Sequence, residues 1–188
     1  MIALLATAYP PVEVVAPWYT VRQTGGGLGN YVDEKVVLAA AFNTTEASER
    51  GLEPQFWIAE QQRSETHPSR DGAREMTKHR WLDGRKCPAL AAVLRKLGDI
   101  PPAHFVGGGK TPSVPPPSDT PGVEVEGRAR RPHAGSVSIS DIAGPISNWW
   151  WSSSTTLEPC WQKDAPIVAG TTVKTLLSGL PTWVQKQP

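Results

Sequence analysis

Apolar positions change their spacing from segment to segment along this chain, and the changes predict its elements. Residues 9–22 are rich in Val, Trp and Tyr but broken by Pro10, Pro11 and Pro17. That pattern predicts an edge strand near 12–15 and a second at 18–22, since proline suits strand starts and sheet edges but not sheet centres. Gly25-Gly-Gly-Leu-Gly29 reads as a flexible turn. The run Val36-Val-Leu-Ala-Ala-Ala-Phe42 is too short and too uniformly apolar for its period to decide. Its valines favour a strand and its alanines a helix; strand is preferred.

Asn43, Thr44, Thr45 and Glu46 fit the start of a short helix running to about Gly51. Residues 55–63 and 75–82 read as the arms of a long hairpin joined by a polar loop over 67–74. The clearest helix follows. Cys87 falls at its N-cap and Pro88 at N1, where a missing N–H costs nothing. Leu90, Val93, Leu94 and Leu97 recur at helical spacing and make one apolar stripe. Arg95 and Lys96 suit the negative end, and Gly98 fits the C′ position.

Residues 107–122 are dominated by Gly, Pro and Ser and read as a connector. Residues 123–130 and 136–142 alternate apolar with polar, the mark of strands with one wet face. A second helix starts with Pro145 at N1. It puts Ile146, Trp149, Trp150, Ser153 and Leu157 on one face and leaves Trp151 off that stripe. Pro159 and Cys160 end it. Residues 162–188 are the least patterned part. The fold class is therefore α+β: an antiparallel sheet of about five to seven strands, two short helices packed on one face, and a long Pro/Gly-rich loop between the halves. A single domain spans 9–170, with insertion 107–122 and a C-terminal tail over 171–188.

Composition sharpens this picture. Nineteen prolines and seventeen glycines among 188 residues are about a fifth of the chain, against a usual level of roughly 12 %. Turns are therefore many and long helices few. A chain of this length buries roughly 70 % of its unfolded surface, so it needs no staple merely to have a core. Eight tryptophans predict a core in which a few large side chains replace many small ones. Nineteen basic and eighteen acidic residues nearly cancel, which leaves no global positive field for nucleic acid. Arg128, Arg130 and Arg131 follow Glu124 and Glu126 and read as a solvated strand end.

Two cysteines, Cys87 and Cys160, each sit beside a proline at the edge of a helix. An even count in an oxidising compartment predicts a bridge, and closing a loop of this size contributes roughly 4 kcal/mol before strain. The rival reading is a reactive thiolate at Cys87, favoured by a helix N-terminus. Residues 1–8, ending Ala6-Thr7-Ala8, read as the remnant of an export signal, although no basic residue precedes the apolar stretch. The alternative is a buried N-terminal strand. No run approaches the roughly eighteen apolar residues of a membrane span.

Other motifs fail on their surroundings. Gly107-Gly-Gly-Lys-Thr111 has His104 where a phosphate loop needs glycine, and prolines rather than a helix follow it. His67, His79, His104 and His133 are dispersed, so no metal pair is read. Ser136 follows Gly135 but lacks the second glycine of a nucleophile elbow. Asn43-Thr44-Thr45 matches a glycosylation acceptor. Trp149-Trp150-Trp151 cannot all face one way, because helical neighbours lie about 100° apart. These three form the candidate binding surface, with core packing as the alternative.

The resulting expectation is a small exported, disulfide-bonded, non-enzymatic protein. It acts by binding or scaffolding in the cell envelope or exterior, on a protein or glycan partner, with no cofactor. The alternatives are an exported hydrolase with a site built from distant loops, and a carbohydrate-binding module using exposed Trp.

Overall fold

A computed structural model describes residues 12–26, 30–43, 53–69, 72–100, 121–128 and 136–178. The signal-like segment 1–8, the expected helix beyond residue 43, and all but the last two residues of the connector 107–122 lie outside these. So do His104 and His133.

Six strands form one antiparallel sheet: β1 (Glu13–Gly25), β2 (Tyr31–Phe42), β3 (Phe56–Ser69), β4 (Gly72–Asp83), β5 (Gly122–Arg128) and β6 (Ser136–Asp141). Their spatial order is β4-β3-β2-β1-β5-β6. Helix α1 (Pro88–Gly98) lies between β4 and β5 in sequence, and α2 (Pro145–Leu157) follows β6. A 3-10 turn covers Glu158–Cys160, and a small hairpin, β7 (Ile167–Val168) and β8 (Thr171–Thr172), comes last. The α+β architecture with two helices is as expected.

Several details differ. Residues 13–15 and 18–22 belong to one strand, β1, and that strand is central rather than an edge. The prolines mislead for a physical reason. Strand β5 pairs only with Tyr19–Thr24, so among the described residues nothing pairs with the other side of the first half of β1. Pro17 falls in a bulge, where three β1 residues between Val15 and Tyr19 oppose Ala39 alone. The β3–β4 hairpin is also longer than its apolar pattern. Pairing continues to Ser69 opposite Gly72, so residues 67–69 and 72–74 are strand where a polar loop was expected. Its outer half is polar on both faces, so no alternation marks it. Gly72 has a φ of 115°, which suits glycine alone.

The helices start as their prolines predict. In α1, Leu90, Val93 and Leu94 are buried, but Gly98 is the last helical residue and Asp99 the C-cap, in a right-handed conformation. No left-handed residue is needed there. In α2, Ile146, Trp149, Trp150, Ser153 and Leu157 are all buried. Its N-terminus is capped from outside. Asp141 accepts hydrogen bonds from the Ile146 and Ser147 amides, at 2.8 Å each, and from the Ser147 hydroxyl. Burial raises the Asp141 carboxyl, but these bonds outweigh it and hold it below the usual carboxylate range. A Cβ at Gly144 would meet the same carboxylate, so only glycine fits between cap and helix.

Both helices cover one face. Leu90, Val93, Trp149, Trp150 and Leu157 pack on Val21, Val36, Leu38, Leu82, Val123 and Val125. The bridge Cys87–Cys160 joins the start of α1 to the end of α2 across 73 positions, with Cα atoms 5.8 Å apart. Six of the seven described tryptophans belong to or pack against the apolar clusters; Trp151 stays exposed.

The opposite face is covered too, by the segment after α2. Trp81 and Gln162 exchange backbone hydrogen bonds of 2.7 Å, and there the chain turns around the β4 edge. Val168, Val173 and Leu176 then pack on Val14, Val37, Ala39, Ala41, Ile58 and Trp81. Residues 173 and 176, read from the sequence as part of a tail, are core. One buried carboxylate anchors them. Glu60 accepts from the amides of Leu176 and Leu177, from the Thr175 hydroxyl at 2.9 Å, and from His79 Nε2 at 2.6 Å. Lys35 Nζ donates to the Leu177 carbonyl at 2.9 Å.

Two outcomes follow. Replacing both cysteines, Cys87→Ser with Cys160→Ser, lowers stability by about 2–5 kcal/mol and leaves a cooperative urea transition, since both core layers remain. Leu176→Ala costs about 2–5 kcal/mol by the same measurement, whereas an untethered tail residue would leave the midpoint unchanged.

Candidate functional site

The register of β2, β3 and β4 assembles a polar cluster on the helix-covered face. Glu34 lies opposite Arg63, and Gln61 lies opposite Arg80. In β2, Glu34 shares its face with Val36 and Leu38, because strand side chains alternate. It is the first polar residue beyond the apolar run on that face and is 1 % exposed.

Hydrogen bonds link the cluster into a ladder. Gln61 Nε2 donates to Glu34 Oε1, and Arg63 Nη1 donates to Glu34 Oε2 at 3.3 Å. Arg80 Nε donates to Gln61 Oε1 at 2.8 Å. Its two terminal nitrogens grip both oxygens of Glu158, at 2.6 and 3.0 Å, and its guanidinium lies over the Trp161 ring at 5.5 Å. Arg63 also donates to Glu65 at 2.6 Å.

A cleft of about 250 Å³ sits over this ladder. Glu34, Gln61 and Arg63 form its sheet side; Trp150, Ser154 and Thr155 of α2 form the helix side; Glu158 and Trp161 close the wall. The Trp150 Nε1–H is buried and has no acceptor at hydrogen-bonding geometry among the described residues. It stands close enough to Glu34 to favour the carboxylate. The Ser154 and Thr155 hydroxyls both donate to the Trp151 carbonyl, at 3.0 and 3.1 Å, as helix hydroxyls commonly do.

The two carboxylates of the cleft are driven apart. Burial pushes Glu34 up, and the neighbouring Arg63, Gln61, Trp150 and Arg80 do not fully offset it. The hydrogen bonds from Arg80 hold Glu158 down.

The sequence candidates fall as follows. Cys87 and Cys160 are joined. Trp149, Trp150 and Trp151 do not make one surface. Trp149 is 8 % exposed and donates to the Val93 carbonyl at 3.0 Å, which ties α2 to α1. Trp150 is 2 % exposed and borders the cleft, and Trp151 is 36 % exposed on the outer face. His67 bonds Asn30 and Glu65, the carboxylate that Arg63 also reaches, but it does not line the cleft. Among the described residues no three His, Cys, Asp or Glu side chains gather as a metal site. No described helix is long and apolar enough to cross a membrane.

Sequence reasoning missed Glu34, Gln61, Arg63, Arg80, Glu158 and Trp161. One signal was available: a carboxylate on the inward face at the end of an apolar run. The other members depend on register between strands and on where the chain returns after α2.

No protein-family model, curated protein or solved structure matches this chain.

Glu34 yields a signed prediction. A carboxyl raised in the folded state holds its proton more tightly there than in the unfolded chain. Above the unfolded carboxylate range it therefore weakens folding, and in acid, with both states protonated, the weakening vanishes. Glu34→Gln raises the thermal midpoint at about pH 7, and the gain fades toward about pH 3, below the free carboxylate range. An unchanged or lowered midpoint at neutral pH refutes the proposed burden.

Proposed function

We propose that this is a small extracytoplasmic protein that acts by binding a small ligand in the cleft beneath α2. One observation carries the reading: a buried carboxylate and a buried indole N–H with no acceptor at hydrogen-bonding geometry among the described residues border the same open cavity. A buried donor left without a well-formed bond costs up to roughly 1–3 kcal/mol, and a buried carboxylate raised by desolvation adds to that. Proteins tolerate such local losses where recognition needs them. The bridge Cys87–Cys160 supports an oxidising compartment.

Turnover has less support. Among the described residues that line the cleft there is no histidine or thiol, and its hydroxyls are engaged by the helix backbone. One observation favours a second reading, a hydrolase. Two carboxylates pushed in opposite directions within one cleft resemble a general acid and its partner. Against it, Arg80 occupies both oxygens of Glu158.

Titrating neutral, acidic and basic small solutes against tryptophan fluorescence gives a saturable change with at least one class. Ser154→Trp fills the cleft and abolishes it; silence from every class refutes binding here. Turnover of fluorogenic substrates, lost in Glu34→Gln, selects the hydrolase instead. Alkylation without reduction, applied to fractionated native cells, finds no free thiol and places the protein outside the cytosol. Two reactive thiols in the cytosolic fraction overturn the compartment.

A further inference from the structure

We infer that the cleft takes one neutral polyhydroxyl ring, a single sugar residue, held between Glu34, the Trp150 indole and the Trp161 wall. This rests on the binding reading above and names its ligand class.

Charge comes first. Each ionic group at the cleft already has an opposite partner: Arg63 with Glu34 and Glu65, and Arg80 with Glu158. A charged ligand would have to break one of these pairs, and among the described residues lining the cleft no cation or anion is left over to receive it. A neutral ligand leaves all of them intact.

Hydrogen-bonding capacity comes next. A carboxylate offers about four acceptor sites, and Glu34 uses one on each oxygen for Gln61 and Arg63. Trp150 Nε1 only donates; among the described residues it has no acceptor at hydrogen-bonding geometry, although it lies close enough to Glu34 to favour the carboxylate. A group that accepts from the nitrogen and donates to the oxygen at one atom would complete both. A hydroxyl does both. An adjacent hydroxyl on the same ring would find Arg63 or Gln61, which lie beside Glu34.

Shape and surface agree. At about 250 Å³ the cleft falls just below the roughly 300–1,000 Å³ of drug-sized sites, which suits one ring. A sugar ring is polar at its rim and apolar on its C–H faces, and indole side chains combine an apolar face with a polar edge. Trp150 and Trp161 supply two of them. The sequence pointed to Trp151 for this chemistry; the structure places it outside the cleft.

The test is NMR of the 15N-labelled full chain, following the Trp150 indole resonance. D-glucose, D-galactose and N-acetyl-D-glucosamine are titrated, with inorganic phosphate and L-arginine as charged comparisons. At least one neutral sugar shifts the resonance saturably, with a Kd on the order of 1 mM, the scale for a small polar ligand. Phosphate and arginine leave it in place. Glu34→Gln weakens sugar binding at least about tenfold while the protein stays folded, and Trp151→Ala leaves it unchanged. A shift with phosphate or arginine but no sugar overturns the ligand class and leaves the binding reading standing. No shift with any of them removes both. A sugar response that survives in Glu34→Gln and Ser154→Trp also overturns the inference, because the sugar would then bind elsewhere.

Discussion

Seven successive side chains of β2, Val36 through Phe42, are buried. A strand sends alternate side chains to opposite faces, so both faces of the sheet must be covered at that point. This requirement sets the layering. Two helices meet one side, through Val36 and Leu38. The other side, through Val37, Ala39 and Ala41, needs a second layer that leaves little room for bulk. The segment after α2 supplies it, with two short strands and Leu176 in place of a helix. Small alanines on β2 admit that thin layer close to the sheet. The remaining architecture follows from bringing the chain around the β4 edge, where Trp81 and Gln162 pair.

Two buried carboxylates lie on opposite faces of the sheet, and their surroundings differ in kind. Glu60 collects two backbone amides, a hydroxyl and an imidazole nitrogen, which fastens the second layer to the sheet. Its burial is fully matched by donors. Glu34 is equally hidden but receives one close bond, from Gln61, and a long contact from Arg63, while the indole N–H beside it meets no acceptor at hydrogen-bonding geometry among the described residues. Stability alone accounts for Glu60. It does not account for Glu34, since replacing a poorly matched buried charge by an apolar residue is often neutral or favourable. That asymmetry separates a structural anchor from a carboxylate that folding does not explain, and it is what supports the proposed binding role of Glu34.

Local chemistry was legible in the sequence and distant chemistry was not. Pro88 and Pro145 at helix starts, the stripe from Leu90 to Leu94, and the off-stripe position of Trp151 all rest on contacts within a few residues. The disulfide was legible from count and placement. The unbroken run in β2 carried more than was read from it: lack of alternation signals a strand covered on both sides. The Asp141 cap was missed because it reaches past Gly144 rather than occupying the N-cap. The role of Glu60 was invisible, since its donors in 175–177 lie more than a hundred positions away. The cleft needed both the β2–β3–β4 register and the return of 158–161, and neither leaves a pattern in one segment.

The wall of the cleft is held more firmly than folding requires. Within five residues it has three independent ties to the rest of the molecule. Glu158 is gripped by Arg80, Cys160 is bonded to Cys87, and Gln162 pairs with Trp81. Glu158 is 61 % exposed, and an exposed ion pair stabilises by at most about 1 kcal/mol, so the first tie adds little to folding. The second joins two helices that already share a core. What the three ties achieve together is position. They hold Trp161 and Glu158 at a set distance from Gln61 and Glu34 before any ligand arrives. A small ligand offers few contacts, so ordering the site on binding would consume most of its affinity. A wall stapled in advance removes that loss, so under the proposed binding function the disulfide would serve recognition as well as constrain the unfolded chain.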